Sequence, residues 1–180
     1  MTVISIAIGQ GEILTTPLQI ANLGATIANR GYYIAPHIVK EIEDNQLDSI
    51  YRTPHYTGID RSYYEMVVKG MRASVTGSTG SGTCRLINSM LPDVEACGKT
   101  GTAQNPHGKD HSVFMGFAPM NDPKIAIVVY VENGGWGATY GVPIGALMMD
   151  QYLHGKLSPT NEAIAEEFSK RTVFYGANER

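Results

Sequence analysis

The chain opens on an almost unbroken apolar run, Met1-Thr2-Val3-Ile4-Ser5-Ile6-Ala7-Ile8, which predicts a strand entered with no lead-in loop. Gly9-Gln10-Gly11-Glu12 interrupts it. Thr16 then suits an N-cap and Pro17 the first helical position, where a missing N–H costs nothing. Leu18, Ile20, Ala21, Leu23, Ala25 and Ile27 cover most of the circumference of a helix over residues 17–30, so it should be buried among other elements. Gly31 is its expected stop at the C′ position. Residues 32–43 alternate weakly and read as extended, and Asp44-Asn45 as a turn. Asp60 caps a second helix, over 60–75, whose Tyr64, Val67, Val68, Met71 and Val75 share one apolar face. A flexible loop over 76–83 follows, rich in Gly, Ser and Thr.

Three strand-like segments come next, at 94–103, 111–118 and 124–132, with Asn121-Asp122-Pro123 as a turn between the last two. The run Ile125-Ala126-Ile127-Val128-Val129-Tyr130-Val131 does not alternate, so that strand should be covered on both faces. Pro143 opens a third helix, over 143–153, and Ser158-Pro159 starts a polar tail carrying one short helix through Lys170. The order of elements predicts an α+β fold: a three-stranded antiparallel sheet with packed helices.

Composition narrows the function. Of 180 residues 43% are apolar and 17% charged, the balance of a folded globular domain. The net charge is −3 with no basic run, which excludes nucleic acid as a partner because backbone binding needs clustered Lys and Arg. Two cysteines, Cys84 and Cys97, exclude a disulfide framework and a four-cysteine zinc site; two separate buried thiols are expected. The apolar runs are too short to span a bilayer, and the N-terminus has no basic region preceding a signal-like stretch. A strand starting at the first residue is what a piece cut from a longer chain would show.

The strongest chemical candidate is Gly98-Lys99-Thr100-Gly101-Thr102. A phosphate-binding loop of the G-x-x-x-x-G-K-[ST] type would need glycine at position 93, which is Asp93, and a helix that Gly101 and Asn105-Pro106 do not permit. The second reading is the K-T-G strand of penicillin-binding proteins and serine β-lactamases. On a regular strand Lys99 and Gly101 point to one face, Thr100 and Thr102 to the other. That places a cation, two hydroxyls and a residue without a β-carbon along one ribbon. An ordinary edge strand with an exposed lysine is the plain alternative for the motif taken alone.

The motif has company. Ile8-Gly9-Gln10-Gly11-Glu12 with Thr16-Pro17-Leu18-Gln19, Gly80-Ser81-Gly82-Thr83, Gly98 to Gln104, His111 to Pro119, and Val131-Glu132-Asn133-Gly134-Gly135 follow one another in the chain. Together they resemble the C-terminal part of the transpeptidase domain of penicillin-binding proteins, most of all the elongation-type class B group, over roughly residues 3–154. No serine has a lysine three places on, and no Ser-x-Asn occurs. The nucleophile and the second catalytic serine are therefore absent from these residues, and the chain alone is expected to be inactive.

The resemblance implies a β-lactamase/transpeptidase-like fold, with residues 1–158 as the C-terminal part of the domain and 159–180 as the polar tail. The implied parent is a peptidoglycan D,D-transpeptidase that cross-links D-Ala-D-Ala stem peptides through a serine acyl-enzyme and is acylated by β-lactams. It would be anchored in the inner membrane with this domain in the periplasm. Lys99 would supply positive potential and a proton relay, Thr100 and Thr102 hydroxyls would hold the substrate carboxylate, Gly101 would leave room for substrate, and the Thr102 backbone N–H would form half of the oxyanion hole. No cofactor is implied. The implied partners are stem peptides, β-lactams, the missing N-terminal part of the domain and the cell-wall elongation machinery. A non-catalytic module binding D-Ala-D-Ala or a β-lactam is the alternative from another class, and a nucleotide-binding P-loop protein a third.

The strand at 124–132 pairs in the family with a strand absent here, so its edge is expected to self-associate or to capture a segment such as residues 1–8. His107 and His111 are expected to anchor loops and not a metal, since Pro106 and Gly108 forbid one helix face. Asn133-Gly134-Gly135-Trp136 reads either as a mobile rim of the cleft or as a turn with an outward tryptophan.

Overall fold

A computed structural model describes residues 3–174 apart from Ile8, Gln10, Glu12, Asp44 and residues 79–81, and excluding the side chain of Ser5. The sheet that organises the chain is three-stranded and antiparallel: β3 (Cys97–Ala103), β4 (His111–Ala118) and β5 (Ile125–Val131), in that spatial order. The register places Lys99 opposite Met115, Thr100 opposite Phe114 and Thr102 opposite Ser112, then Phe114 opposite Val129. A separate ribbon pairs β1 (Tyr32–Tyr33) with β2 (His55–Tyr56).

Helices cover both faces of the three-stranded sheet. On one face α2 (Pro17–Ala28) and α3 (Arg61–Thr76) bury Ile27, Tyr64, Val68 and Met71 against Cys97 and Phe117. On the other, α4 (Arg85–Met90) and α5 (Gly141–His154) bury Ile87, Met90, Val142, Ala146 and Met149 against Phe114, Ala118, Ile127 and Val129. β5 is therefore covered on both sides, as its unbroken apolar sequence predicts. The Phe114 ring, fully buried, is enclosed by glycines. A β-carbon on Gly98, Gly116 or Gly145 would lie 2.5–2.6 Å from a ring carbon.

The helix ends show why the chain folds locally as it does. Thr16 and Gln19 form a reciprocal capping box: the Gln19 N–H donates to Thr16 Oγ1 and the Thr16 N–H to Gln19 Oε1. Asp60 accepts from the Ser62 N–H at the start of α3, and Ser158 accepts from the Asn161 N–H at the start of α6 (Pro159–Ser169). α2 ends at Ala28, two residues short of the expected 30. Arg30 and not Gly31 takes the left-handed C′ position, at φ 58°, while the Gly31 N–H reaches back to the Thr26 carbonyl. Arg30 is held there by its own side chain, which meets Glu65 Oε1 at 3.3 Å and donates to the Met120 carbonyl at 2.9 Å.

Several expectations are corrected. The described part of the opening run is a short helix, α1 (Val3–Ala7), with Val3 82% and Ile4 81% exposed; an apolar run makes a strand only where a strand pairs with it, and none among the described residues does. Its expected capture by the β5 edge is not seen, while Met1, Thr2 and Ile8 lie outside the described residues. Within 32–43 only Tyr32 and Tyr33 form a strand; Ile42 bridges to Asn45 across the expected turn, whose Asp44 lies outside the described residues. Leu18 and Leu23 of α2 face outward, because no element among the described residues covers that side. Val67 likewise lies off the buried face of α3.

β3 begins at Cys97, since residues 94–96 are taken up by turns after Leu91. α4 carries no side-chain cap that would mark its start in the sequence. α5 starts two residues before Pro143, which still falls within the first turn, where its lost N–H has no partner. The polar tail is docked: Asn161 of α6 is fully buried, and its Nδ2 donates to the Met90 carbonyl at 2.9 Å and to Asp150 Oδ2 at 2.6 Å.

Candidate active site

β3 is an edge strand, paired with β4 only among the described residues. It is anchored at its start and open at its end. Cys97 and Gly98 are buried, Lys99 and Thr102 are exposed, and Thr100, Gly101 and Ala103 are half-buried. Regular pairing with β4 puts Thr100 and Thr102 on the α4–α5 face and Lys99 and Gly101 on the α2–α3 face. All four residues singled out in the motif thus lie on the edge strand, two on each of its faces. The structure also removes the P-loop alternative: Gly98 to Thr102 lie in a strand that turns into a second strand, with no loop or helix N-terminus to wrap a phosphate.

The side chains of the ribbon are held from two directions. Lys99 Nζ donates to the Thr100 carbonyl. Thr100 Oγ1 donates to Thr83 Oγ1 at 2.9 Å, which ties the strand to the loop ahead of α4. Of the Gly80-Ser81-Gly82-Thr83 segment only Gly82 and Thr83 are described; Gly80 and Ser81 lie outside the described residues. Gly82 fits tightly against the end of α3, where a β-carbon would lie 2.6 Å from the Ser74 carbonyl.

The loop between β5 and α5 crosses the same end of the sheet. Ser112, opposite Thr102 and fully buried, donates from Oγ to the Trp136 carbonyl at 2.9 Å and accepts the Gly141 N–H at 3.0 Å. Gly137 lies flat on the strands, where a β-carbon would fall 2.6 Å from the Gly101 carbonyl and 3.1 Å from Thr100 Cβ. The Trp136 ring stands outward, 78% exposed, above a backbone that is pinned. Ser112 was missed from sequence; its place opposite Thr102 follows only from the register. His111 anchors the neighbouring turn by accepting the Asn133 N–H at Nδ1, 3.0 Å away, and Asn105 Nδ2 donates to Asn133 Oδ1 at 3.0 Å.

The two thiols are separate and buried. Burial pushes Cys84 above its ordinary value and Cys97 up to about 12, the nearby cations Lys99 and Arg72 opposing too weakly to reverse it. Neither is placed to act as a nucleophile. Among the described residues no group of three or more His, Cys, Asp or Glu is placed to hold a metal ion, and no helix is long and apolar enough to cross a membrane.

Comparison with known proteins gives this ribbon its context. Residues 2–150 match the model of the penicillin binding protein transpeptidase domain. The peptidoglycan D,D-transpeptidase MrdA of Haemophilus influenzae is 31% identical over 172 residues, 86% of this chain and 26% of that protein. Among solved structures, Pseudomonas aeruginosa PBP2 in complex with WCK 5153 is 36% identical with a TM-score of 0.72, over 86% of this chain and 34% of that one. The imipenem acyl-enzyme of penicillin-binding protein A from M. tuberculosis is 26% identical with a TM-score of 0.66, over 83% of this chain and 33% of that one. The chain spans about a quarter to a third of the length of the proteins it matches. With the family model covering residues 2–150 of its 180, the chain belongs to the penicillin-binding protein transpeptidase domain family.

Proposed function

We propose that residues 1–158 supply the C-terminal part of a peptidoglycan D,D-transpeptidase domain, with 159–180 as an appended segment. The observation that carries this reading is the edge strand β3, which carries Lys99 on one face and the hydroxyls of Thr100 and Thr102 on the other, with Gly101 between them in the chain. The outward Leu18 and Leu23 and the edge of β5, unpaired among the described residues, fit a chain whose remaining walls come from other residues of the same domain.

The chemistry follows from the parts. A serine outside these residues attacks the penultimate D-Ala carbonyl of a stem peptide; the C–N bond breaks, and the terminal D-Ala leaves as an amine after taking a proton. The amine of a second stem peptide then attacks the ester, forms the cross-link and returns the serine. Thr100 and Thr102 hydroxyls receive the terminal carboxylate, and the Thr102 N–H donates to the developing oxyanion, a contact whose loss costs on the order of a hundredfold or more. Lys99 holds positive potential beside the reacting centre and passes the proton through the second serine, also supplied from outside. β-Lactams enter the same path as mimics of D-Ala-D-Ala, in line with the imipenem acyl-enzyme of the M. tuberculosis relative. The proposed setting is a membrane-anchored parent with this domain in the periplasm, working with the elongation machinery.

Labelled penicillin tests the reading. The 180-residue chain should take no covalent label, and a polypeptide extended upstream to include Ser-x-x-K should label strongly. Binding of D-Ala-D-Ala peptide with no labelling of the extended polypeptide would favour a non-catalytic module instead.

A further inference from the structure

Thr83 sits outside the motif, yet its hydroxyl is the partner of the one that the proposed function asks to receive the substrate. We infer that Thr83 is a positioning residue for carboxylate recognition, acting through Thr100; this rests on the reading above. A hydroxyl has one proton and two lone pairs. With no substrate the Thr100 proton is committed to Thr83 Oγ1, 2.9 Å away. Beyond it, Ser74 Oγ lies 3.4 Å from Thr83 Oγ1, so three hydroxyls form a row from the end of α3 to the edge strand.

An arriving carboxylate carries only acceptors, and Thr100 can serve it only by turning its proton outward. If Thr83 kept its own proton turned away, two sets of lone pairs would then face each other. The row avoids this by reversing: Ser74 donates to Thr83, Thr83 to Thr100 and Thr100 to the carboxylate. Each hydroxyl keeps a partner in both states, and donation along the row strengthens the last bond. Without Thr83 the Thr100 hydroxyl would rotate freely and would have to be ordered by the substrate.

The place of Thr83 is built for this role. Gly82 presses on the Ser74 carbonyl with no room for a β-carbon, and the Cys84 N–H donates to that same carbonyl at 3.1 Å. Thr83 is thereby held on both sides by backbone, while its side chain remains exposed beside β3.

The test uses the intact polypeptide that carries this chain together with its nucleophile, with steady-state kinetics on stem-peptide donors ending in D-Ala-D-Ala carboxylate or carboxamide. Thr83→Val should raise KM for the carboxylate donor about three- to tenfold, the worth of one hydrogen bond, with kcat held. It should also shrink the preference for carboxylate over carboxamide. Thr83→Ser should restore both. Thr83→Val should add little to Thr100→Val, because the two act through one hydroxyl. If Thr83→Val fails to fold, Ser74→Ala reads the same row from its far end and should move KM in the same direction by less. Equal losses on both donors, a fall in kcat alone, or full additivity with Thr100→Val would overturn the inference and leave the transpeptidase reading standing. A wild-type polypeptide that neither turns over donor nor takes penicillin would overturn both.

Discussion

The Phe114 ring occupies the space of a side chain at Gly98: a β-carbon there would lie 2.6 Å from Cε2 of the ring. The residue just before Lys99 is thus fixed against the largest side chain of the α4–α5 core, and this close approach sets the height of the edge strand over the sheet.

Gly98→Ala should therefore destabilise the domain by about 1–3 kcal/mol, the range for overpacking a filled core. Gly145→Ala meets the same ring from α5, 2.5 Å from Cδ1, and should cost a similar amount. Urea midpoints should fall in both variants. Only Gly98→Ala should also slow penicillin acylation of the extended polypeptide beyond its loss of stability, since it alone displaces the strand that carries Lys99.

Asn161 joins three elements, and its loss should loosen the last helix. Asn161→Ala takes the Nδ2 donor from the Met90 carbonyl and leaves Asp150 Oδ2 with the Ser158 N–H, at a cost of about 1–3 kcal/mol. Hydrogen exchange over residues 159–169 should speed up well before that of β4. Unchanged protection there would show that α6 is held by its apolar contacts alone.

The docking of α6 should depend on pH. Both His154 nitrogens face carboxylates: Nδ1 lies 2.7 Å from Asp150 Oδ1 and Nε2 3.1 Å from Asp93 Oδ2. The hydrogen bond to Asp150, with the charges of Asp93 and Asp150, raises His154 above its ordinary 6.5 despite partial burial. For Asp150 burial acts upward, and the hydrogen bonds from Asn161, His154 and Ser158 outweigh it and hold the carboxyl below its ordinary 3.8. A raised histidine stabilises the fold fully below 6.5, and the gain is lost as pH climbs through its folded value. A lowered carboxyl stabilises above 3.8, and that gain is lost as pH falls through its folded value. Tm should fall as pH rises above 6.5, and His154→Gln should flatten that slope. The same slope in wild type and variant would assign it to other groups.

The thiols should resist modification. With Cys84 and Cys97 fully buried and both pushed above the ordinary thiol range, a disulfide reagent should titrate neither at neutral pH and both after unfolding. Rapid reaction of Cys84 in the folded chain would mean that the α4 segment opens, and rapid reaction of Cys97 that the α2–α3 face of the sheet opens.

The chain on its own should self-associate. Nothing among the described residues pairs with the outer edge of β5, and Leu18, Leu23 and Met66 stand outward on α2 and α3. Sedimentation should show a dimer or larger species for the 180-residue chain and a monomer once the upstream residues are added. A monomer in both cases would show that the edge needs no cover.

What the sequence made legible was whatever rests on local chemistry. Thr16, Asp60 and Ser158 each cap a helix because a side-chain oxygen needs only the N–H groups two or three residues on. The sequence pattern predicts β4 to the residue at both ends, and spacing and the company of four other segments mark Lys99 to Thr102. What stayed hidden depends on distant partners. α4 has no side-chain cap at Cys84 and follows a glycine-rich loop; its helix is held by Ile87 and Met90 in the core. The opening run has the composition of a strand, and pairing, which composition does not encode, decides otherwise. Arg30 adopts a conformation that Gly31 next door would take more easily, because Glu65 and Met120 hold its side chain. The Thr83–Thr100 contact joins residues 17 apart and exists only once α4 has turned the chain back.

The most direct measurement of the central claim is a crystal structure of the penicillin-acylated polypeptide that includes both the upstream serine and this chain. The account predicts the antibiotic lying along β3, its carboxylate within hydrogen-bonding distance of the Thr100 or Thr102 hydroxyl and its ester carbonyl directed at the Thr102 N–H. An acyl group whose carboxylate is held elsewhere, with β3 untouched, would contradict it.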